Sequence, residues 1–139
     1  MNPLPIGKIA SSAAIFEGKK LLLIRRSPTA SAYPNHWTFP SGGIEETDQS
    51  VGSAVIREVK EEVGLDFRPS KKWNFYESTT NGKRYFALVH LGEWSGTIQL
   101  QKEEASEWRF FTYTETKNLN LAFAYREVID DLYTAGLVE

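Results

Sequence analysis

Apolar residues fall in short runs along this chain, and their period changes from run to run. KIASSAAIF (8–16) and LLLIRR (21–26) flank the turn EGKK, which predicts a β-hairpin whose second strand is apolar almost throughout. SPTASAYPN (27–35) has the composition of a loop. HWTFP continues as a short extended piece, and SGGIEETD holds too much glycine and acid for a regular element. The spacing then turns helical. Val55, Val59 and Val63 recur every fourth residue with Ile56 beside them, which predicts a helix from about 50 to 63. Thr47, Asp48 or Ser50 can cap its start, and Gly64 stops it.

The second half returns to β-type patterning. WNFYESTT (73–80) and KRYFALVHLGEW (83–94) flank Asn81-Gly82, a strong hairpin signal. TIQL (97–100) and EWRFFTY (107–113) are further strand candidates. LAFAYREVIDDLYTAG (121–136) closes as a helix, spaced by Leu121, Tyr125, Val128 and Leu132 and stopped by Gly136. Neither a repeat nor a long linker interrupts the order. Strands, helix, strands, helix over residues 1–139 predict a single domain of α+β class, or a mixed-sheet sandwich.

Charge changes the picture on the first helix. At about 100° per residue, Glu58, Glu61 and Glu62 share one arc of its surface. Like charges at these spacings cost roughly 0.2–0.5 kcal/mol per pair. The arc lies beside the valine stripe, so the acids stand at the edge of a packed surface, where a cation would neutralise them. Gly42 and Gly43 let the backbone bend and a ligand approach closely. They lead to a helix N-terminus that favours anions. Hard divalent ions such as Mg²⁺ take a few carboxylates together with phosphate oxygens and water. Arg57, four residues before Glu61, can hold a carboxylate in place.

Composition narrows the chemistry. A net charge of −2 provides no basic field for a nucleic-acid polymer, and the absence of cysteine removes disulfides, zinc–thiolate sites and a thiol nucleophile. His36 and His90 are isolated and read as structural or exposed. The N-terminus has no signal-peptide pattern and no run reaches membrane-span length, so a cytoplasmic protein is expected. Arg25 and Arg26 end a strand and point to opposite faces, so at most one is expected to touch a substrate phosphate. Trp37, Phe39, Trp73 and Trp108 read as core before they read as base-stacking platforms.

The segment 43–65 resembles the Nudix box, G-x5-E-x7-R-E-U-x-E-E-x-G-U. Gly43, Arg57, Glu58, Val59, Glu61, Glu62, Gly64 and Leu65 fall on its fixed positions. LLLIRR and WTFPSGG before the box, and EASEWRFF after it, extend the resemblance over most of the chain. Two positions depart from it. The first fixed Glu is Gln49, which keeps the shape and loses the charge; Asp48 next door carries a charge, but an adjacent residue is expected to point elsewhere. Many members also read P-G-G where this chain has Pro40-Ser41-Gly42-Gly43.

The resemblance implies an α/β/α sandwich with a mixed sheet between helices. It implies a pyrophosphohydrolase acting on a nucleoside diphosphate linked to a group X, with Mg²⁺ or Mn²⁺ as cofactor. Glu58, Glu61, Glu62 and the Gly42 carbonyl would ligate the metal, Arg57 would orient the glutamates, and Gly42 and Gly43 would meet the substrate. Glu58 or a nearby carboxylate would help deprotonate water, and Glu103 and Glu104 are the favoured later acids, ahead of Glu107. A nucleoside triphosphate is the preferred small-molecule substrate, with ADP-ribose or a nucleotide sugar as the alternative. LAFAYRE resembles a segment of ADP-ribose hydrolases. Family members are often dimers. Gln49 motivates a rival reading, a non-catalytic nucleotide-binding or regulatory module.

Overall fold

Four consecutive apolar residues, Leu21 to Ile24, are all fully buried, so their strand is covered on both faces. The computed structural model describes residues 3–139. Its elements are β1 (Ile6–Ala14), β2 (Phe16–Glu17), β3 (Lys20–Arg26), β4 (Trp37–Thr38), β5 (Ser41–Gly43), α1 (Val51–Val63), β6 (Asp66–Thr80), β7 (Lys83–Ser95), β8 (Ala105–Phe111), α2 (Tyr113–Thr116) and α3 (Tyr125–Thr134). One sheet runs β5-β1-β7-β6, with β1 and β7 parallel and the other pairs antiparallel. In the other, β3 pairs with β2, β4 and β8.

Alternation along β3 divides the core in two. Leu21 and Leu23 pack with Phe39, Tyr125, Val128, Ile129 and Leu132, on the α3 side. Leu22 and Ile24 pack with Val55, Val59, Val63, Leu65 and Phe67, on the α1 side. Helices therefore cover both faces of the strand layer, which is the expected α/β/α sandwich. No helix among the described residues is long and apolar enough to cross a membrane.

Several expected elements take a different form. The first hairpin is confined to Phe16–Glu17 against Lys20–Leu21, because β1 leaves for the other sheet and runs parallel to β7. Period-two alternation specifies a strand but not its partner. SGG, read as irregular, is β5, paired with β1 through Ser12↔Ser41, Ser11↔Gly42 and Ala10↔Gly43. TIQL forms no strand. Its backbone instead serves the end of α1, Gln99 N–H donating to the Val63 carbonyl (2.8 Å) and Gln101 N–H to that of Glu62 (2.9 Å). Helix C-terminal carbonyls need such donors, and here they compete successfully with a ladder.

The strand around 73–80 starts earlier, at Asp66, and takes in two register shifts. The residues read as strand up to 113 end at Phe111, where Thr112 and Glu115 form a capping box for α2. The closing helix begins at Tyr125 rather than Leu121, since Phe123 has φ 49° and Leu121 bridges to Trp37. Ser50 is the N-cap of α1, accepting from Ser53 N–H at 3.0 Å, and Gly64 ends it in the left-handed region. The Asn81-Gly82 turn has positive φ at both residues, as a tight hairpin requires.

Candidate active site

Burial of the valine stripe fixes which way the acids of α1 face. Val55, Val59 and Val63 are fully buried, and the adjoining arc then meets β5. Glu62 accepts a hydrogen bond from Ser41 N–H at 2.9 Å. The additional residue in Pro-Ser-Gly-Gly thus supplies the amide that holds Glu62. Glu58 lies against Gly42 so closely that a Cβ there would fall 1.9–2.4 Å from its carboxylate atoms. Tyr125 of α3 supports this strand from behind, its hydroxyl 2.6 Å from Ser12 Oγ and 3.3 Å from Ser41 Oγ, its ring stacked on Phe39.

Arg57 gathers the other side of the site. Its Nη1 donates to Glu58 Oε1 (2.7 Å) and Glu61 Oε2 (3.2 Å), and its Nη2 to the Gly43 carbonyl (3.2 Å). Nε and Nη2 grip Asp48 Oδ1 and Oδ2, both at 2.9 Å. This pair holds the Asp48 carboxyl down to about 2 and raises the Arg57 guanidinium further above its ordinary range.

These contacts line a cavity of about 720 Å³ that contains Gly42, Gly43, Glu58, Glu61, Glu62, Glu103 and Glu104. Arg26 lines it too, over the Phe123 ring at 5.3 Å, with Nε donating to the Ala32 carbonyl. Arg25 turns away and pairs with Glu107 at 3.0 Å, and neither is part of the lining. Of the two arginines, one faces the site, and Glu107 is not one of its acids. Phe123 meets Tyr85 in a tilted pair (5.1 Å) and Tyr33 edge to face (4.8 Å). His90 is buried against Ser11, while Phe39 is core and Trp37 and Trp73 pack partly buried against it. Trp108 is exposed on β8, outside both the core and the cavity.

Lys8 and Tyr85 line the cavity beside the acids and had no role read from the sequence. Lys8 lies across Gly43, where a Cβ would meet its Cε at 2.9 Å, and its charge acts on Glu58. Tyr85 is the register partner of Lys8 on β7. Lys8 and Tyr85 come together through the parallel β1–β7 pairing, which leaves no local signal.

Among the described residues, no three acidic or histidine side chains already form a group able to hold a metal ion. Arg57 draws Glu58 and Glu61 to itself, and Ser41 holds Glu62. The donor set nevertheless suits a hard divalent ion. Every available ligand is oxygen, and Glu62 is a carboxyl that the protein alone leaves poorly compensated. Burial pushes it up to about 8, with Glu104 and Glu58 adding to the effect and the Ser41 amide opposing it. Glu58 moves upward as well, burial outweighing its bond to Arg57.

A pH dependence follows. The folded state keeps the Glu62 proton over a range where the unfolded chain releases it, so the stabilisation is complete below about 4.5 and is lost as pH rises through about 8. Asp48, shifted downward, loses its stabilising charge only in strong acid, outside that window. Metal-free protein should therefore melt several degrees lower at pH about 8.5 than at pH about 6, and Mg²⁺ should close most of the gap. Thermal unfolding in EDTA and in Mg²⁺ at the two pH values measures this directly.

A NUDIX domain model matches residues 8–132. The chain belongs to the Nudix family. It is 29% identical over 101 residues to the CTP pyrophosphohydrolase of Escherichia coli K12, covering 69% of this chain and 71% of that one. It is 30% identical over 125 residues to the RNA pyrophosphohydrolase of a Sulfurovum strain, covering 75% and 78%. Its fold superposes on a MutT protein from Methanosarcina mazei Go1 with a TM-score of 0.84, at 23% identity and 98% coverage of both chains. The chain is a Nudix hydrolase, and the segment 43–65 runs from the last residue of β5 through the loop and α1, whose acids line the cavity.

Proposed function

We propose that this Nudix hydrolase is a divalent-metal-dependent pyrophosphohydrolase of nucleoside triphosphates, releasing monophosphate and pyrophosphate. The observation that carries the reading is the make-up of one cavity. Carboxylates of α1 and of residues 103–104, the cations Lys8 and Arg26, and the rings of Tyr85 and Phe123 all line it. Its volume lies within the range of small-molecule sites. The name of the E. coli relative, a CTP pyrophosphohydrolase, supports a triphosphate substrate.

In this reading Glu58, Glu61, Glu62 and the Gly42 carbonyl hold Mg²⁺ or Mn²⁺, which neutralises phosphate charge and acidifies water. Lys8 and Arg26 hold the phosphates, and the rings of Tyr85 and Phe123 flank the nucleoside. Water adds to one phosphorus while the bridging P–O bond breaks. Glu58, or Glu103 or Glu104, accepts the proton that water gives up, and the bridging oxygen leaves with its electron pair on pyrophosphate. Arg57 keeps Glu58 and Glu61 in place throughout.

The test is product analysis after incubation with Mg²⁺ and a panel of canonical and oxidised (d)NTPs, ADP-ribose, nucleotide sugars, dinucleoside polyphosphates and a 5′-triphosphate RNA. Monophosphate plus pyrophosphate from a free triphosphate is the expected result. Cleavage of ADP-ribose or a nucleotide sugar alone would move the substrate to the X-linked diphosphates. No cleavage of any member, with Mg²⁺ or Mn²⁺, would favour the non-catalytic module.

A further inference from the structure

The Nudix box of this chain lacks its first acid, and the position that should hold it is idle. Gln49 is exposed, and its side chain makes no hydrogen bond among the described residues. The neighbouring carboxylate is engaged. Asp48 has a side chain only 5% exposed, against 60% for Glu61, and receives two parallel N–H bonds from Arg57 in the bidentate geometry that makes arginine–carboxylate pairs strong. A third bond comes from Glu45 N–H to Oδ2 at 2.8 Å, while Asp48 N–H donates to the Glu45 carbonyl at 3.0 Å. This local turn aims the Asp48 carboxylate at α1 and sends Gln49 outward.

The effect on Arg57 is complete. A guanidinium has five N–H groups, and this one has five acceptor contacts: both oxygens of Asp48, the Gly43 carbonyl, Glu58 and Glu61. Asp48 takes the Nε edge, which sets the rotation of the plane. With that edge fixed, Nη1 can only face Glu58 and Glu61.

We propose that Asp48 is the positioning residue that orients Arg57, and through it Glu58 and Glu61, so that the charge missing at Gln49 has moved one place along the loop rather than being lost. The inference deepens the functional reading and rests on Glu58 and Glu61 being metal ligands. Asp48 itself does not line the cavity.

Two measurements separate the inference from the reading beneath it. The first is the Arg57 Nε–H resonance in ¹⁵N-labelled protein, which needs no metal. It should exchange slowly in the wild type and broaden or shift to solvent-like values in Asp48→Asn, while Gln49→Ala leaves it in place. The second is Mn²⁺ binding to substrate-free protein, read by electron paramagnetic resonance beside the melting temperature. Asp48→Asn should weaken binding by roughly 10–100-fold, Gln49→Ala by less than about twofold, and Asp48→Asn in an Arg57→Ala background should cost nothing further.

An unchanged Nε–H signal in Asp48→Asn overturns the inference. So does unchanged Mn²⁺ affinity with only a lowered melting temperature, or a large loss from Gln49→Ala. If the wild type bound no Mn²⁺ while its resonance still depended on Asp48, the metal reading would fail and the orienting contact would stand.

Discussion

Glu62→Gln should lower Mg²⁺-dependent turnover by at least about 10²-fold and, in the same protein without metal, raise the melting temperature at alkaline pH. The two effects have one cause. The Glu62 carboxylate is ionised at working pH only against the cost of burial, which holds it up at about 8 in the absence of a cation. Gln is nearly isosteric, and its Oε1 can still accept from Ser41 N–H, now at 2.9 Å from Glu62. The substitution also removes a charge that is repelled by Glu58 and Glu104. A difference of one pKa unit is worth about 1.4 kcal/mol, so a gain of several degrees is expected. Paired assays of turnover and EDTA-state melting at pH about 8.5 check both halves. Full turnover in this variant would remove Glu62 from the mechanism, and a lowered melting temperature would show that burial does not penalise its charge.

Gly42→Ala should leave the protein folded and almost inactive, whereas Gly92→Ala should do harm chiefly through stability. At Gly42 the atoms in the way are Oε1, Oε2 and Cδ of Glu58, the free end of a flexible side chain. It can swing aside at little cost to the fold, but it then leaves Arg57 and the place proposed for it at the metal. At Gly92 a Cβ would fall 2.2 Å from the Arg68 carbonyl oxygen and 2.8 Å from the Pro69 Cα, backbone that cannot move without disturbing the β6–β7 ladder. Overpacking of that kind costs about 1–3 kcal/mol. The checks are melting temperature and kcat measured together. A large stability loss at Gly42 with normal specific activity in the folded fraction would contradict the close packing of Glu58 against β5.

What was legible in the sequence was what local spacing encodes. The valine period and the acids beside it placed α1 and its arc, because a helix face is fixed by residues three and four apart. Gly64 and Asn81-Gly82 marked turns through their backbone needs. The α/β/α layering was implied by family resemblance, and the unbroken run at Leu21–Ile24 accounts for it, since each of its faces meets a different helix. Strand partners were not legible. The hairpin read over 8–26 is present only as β2 and β3 about the EGKK turn, because β1 pairs with β7 far along the chain, as in Ile9↔Phe86, and nothing in either strand names the other.

The same limit applies within the site. Arg57, Glu58, Glu61 and Glu62 are one helical segment and could be read together. Lys8 and Tyr85 reach the cavity only through parallel pairing, and Ser41 through an amide that has no side-chain signature. Gln49 looked like a lost charge because a box position was compared with a residue type. The turn from Glu45 to Asp48 decides which neighbour faces α1, and that turn is a backbone property. Should Asp48→Asn release Arg57 as proposed, Gln49 no longer argues for a non-catalytic module.

The most direct test of the central claim is turnover of the best panel substrate as a function of Mg²⁺ concentration, for wild type and Glu61→Gln side by side. Glu61 is the most exposed of the three helical acids, so its replacement disturbs packing least. The account predicts saturable Mg²⁺ activation in the wild type and a loss of at least about 10²-fold in the variant, with melting temperatures alike in EDTA. Equal Mg²⁺ activation in both proteins, or turnover in the wild type that EDTA does not abolish, would contradict a metal-dependent hydrolase built on the acidic arc of α1.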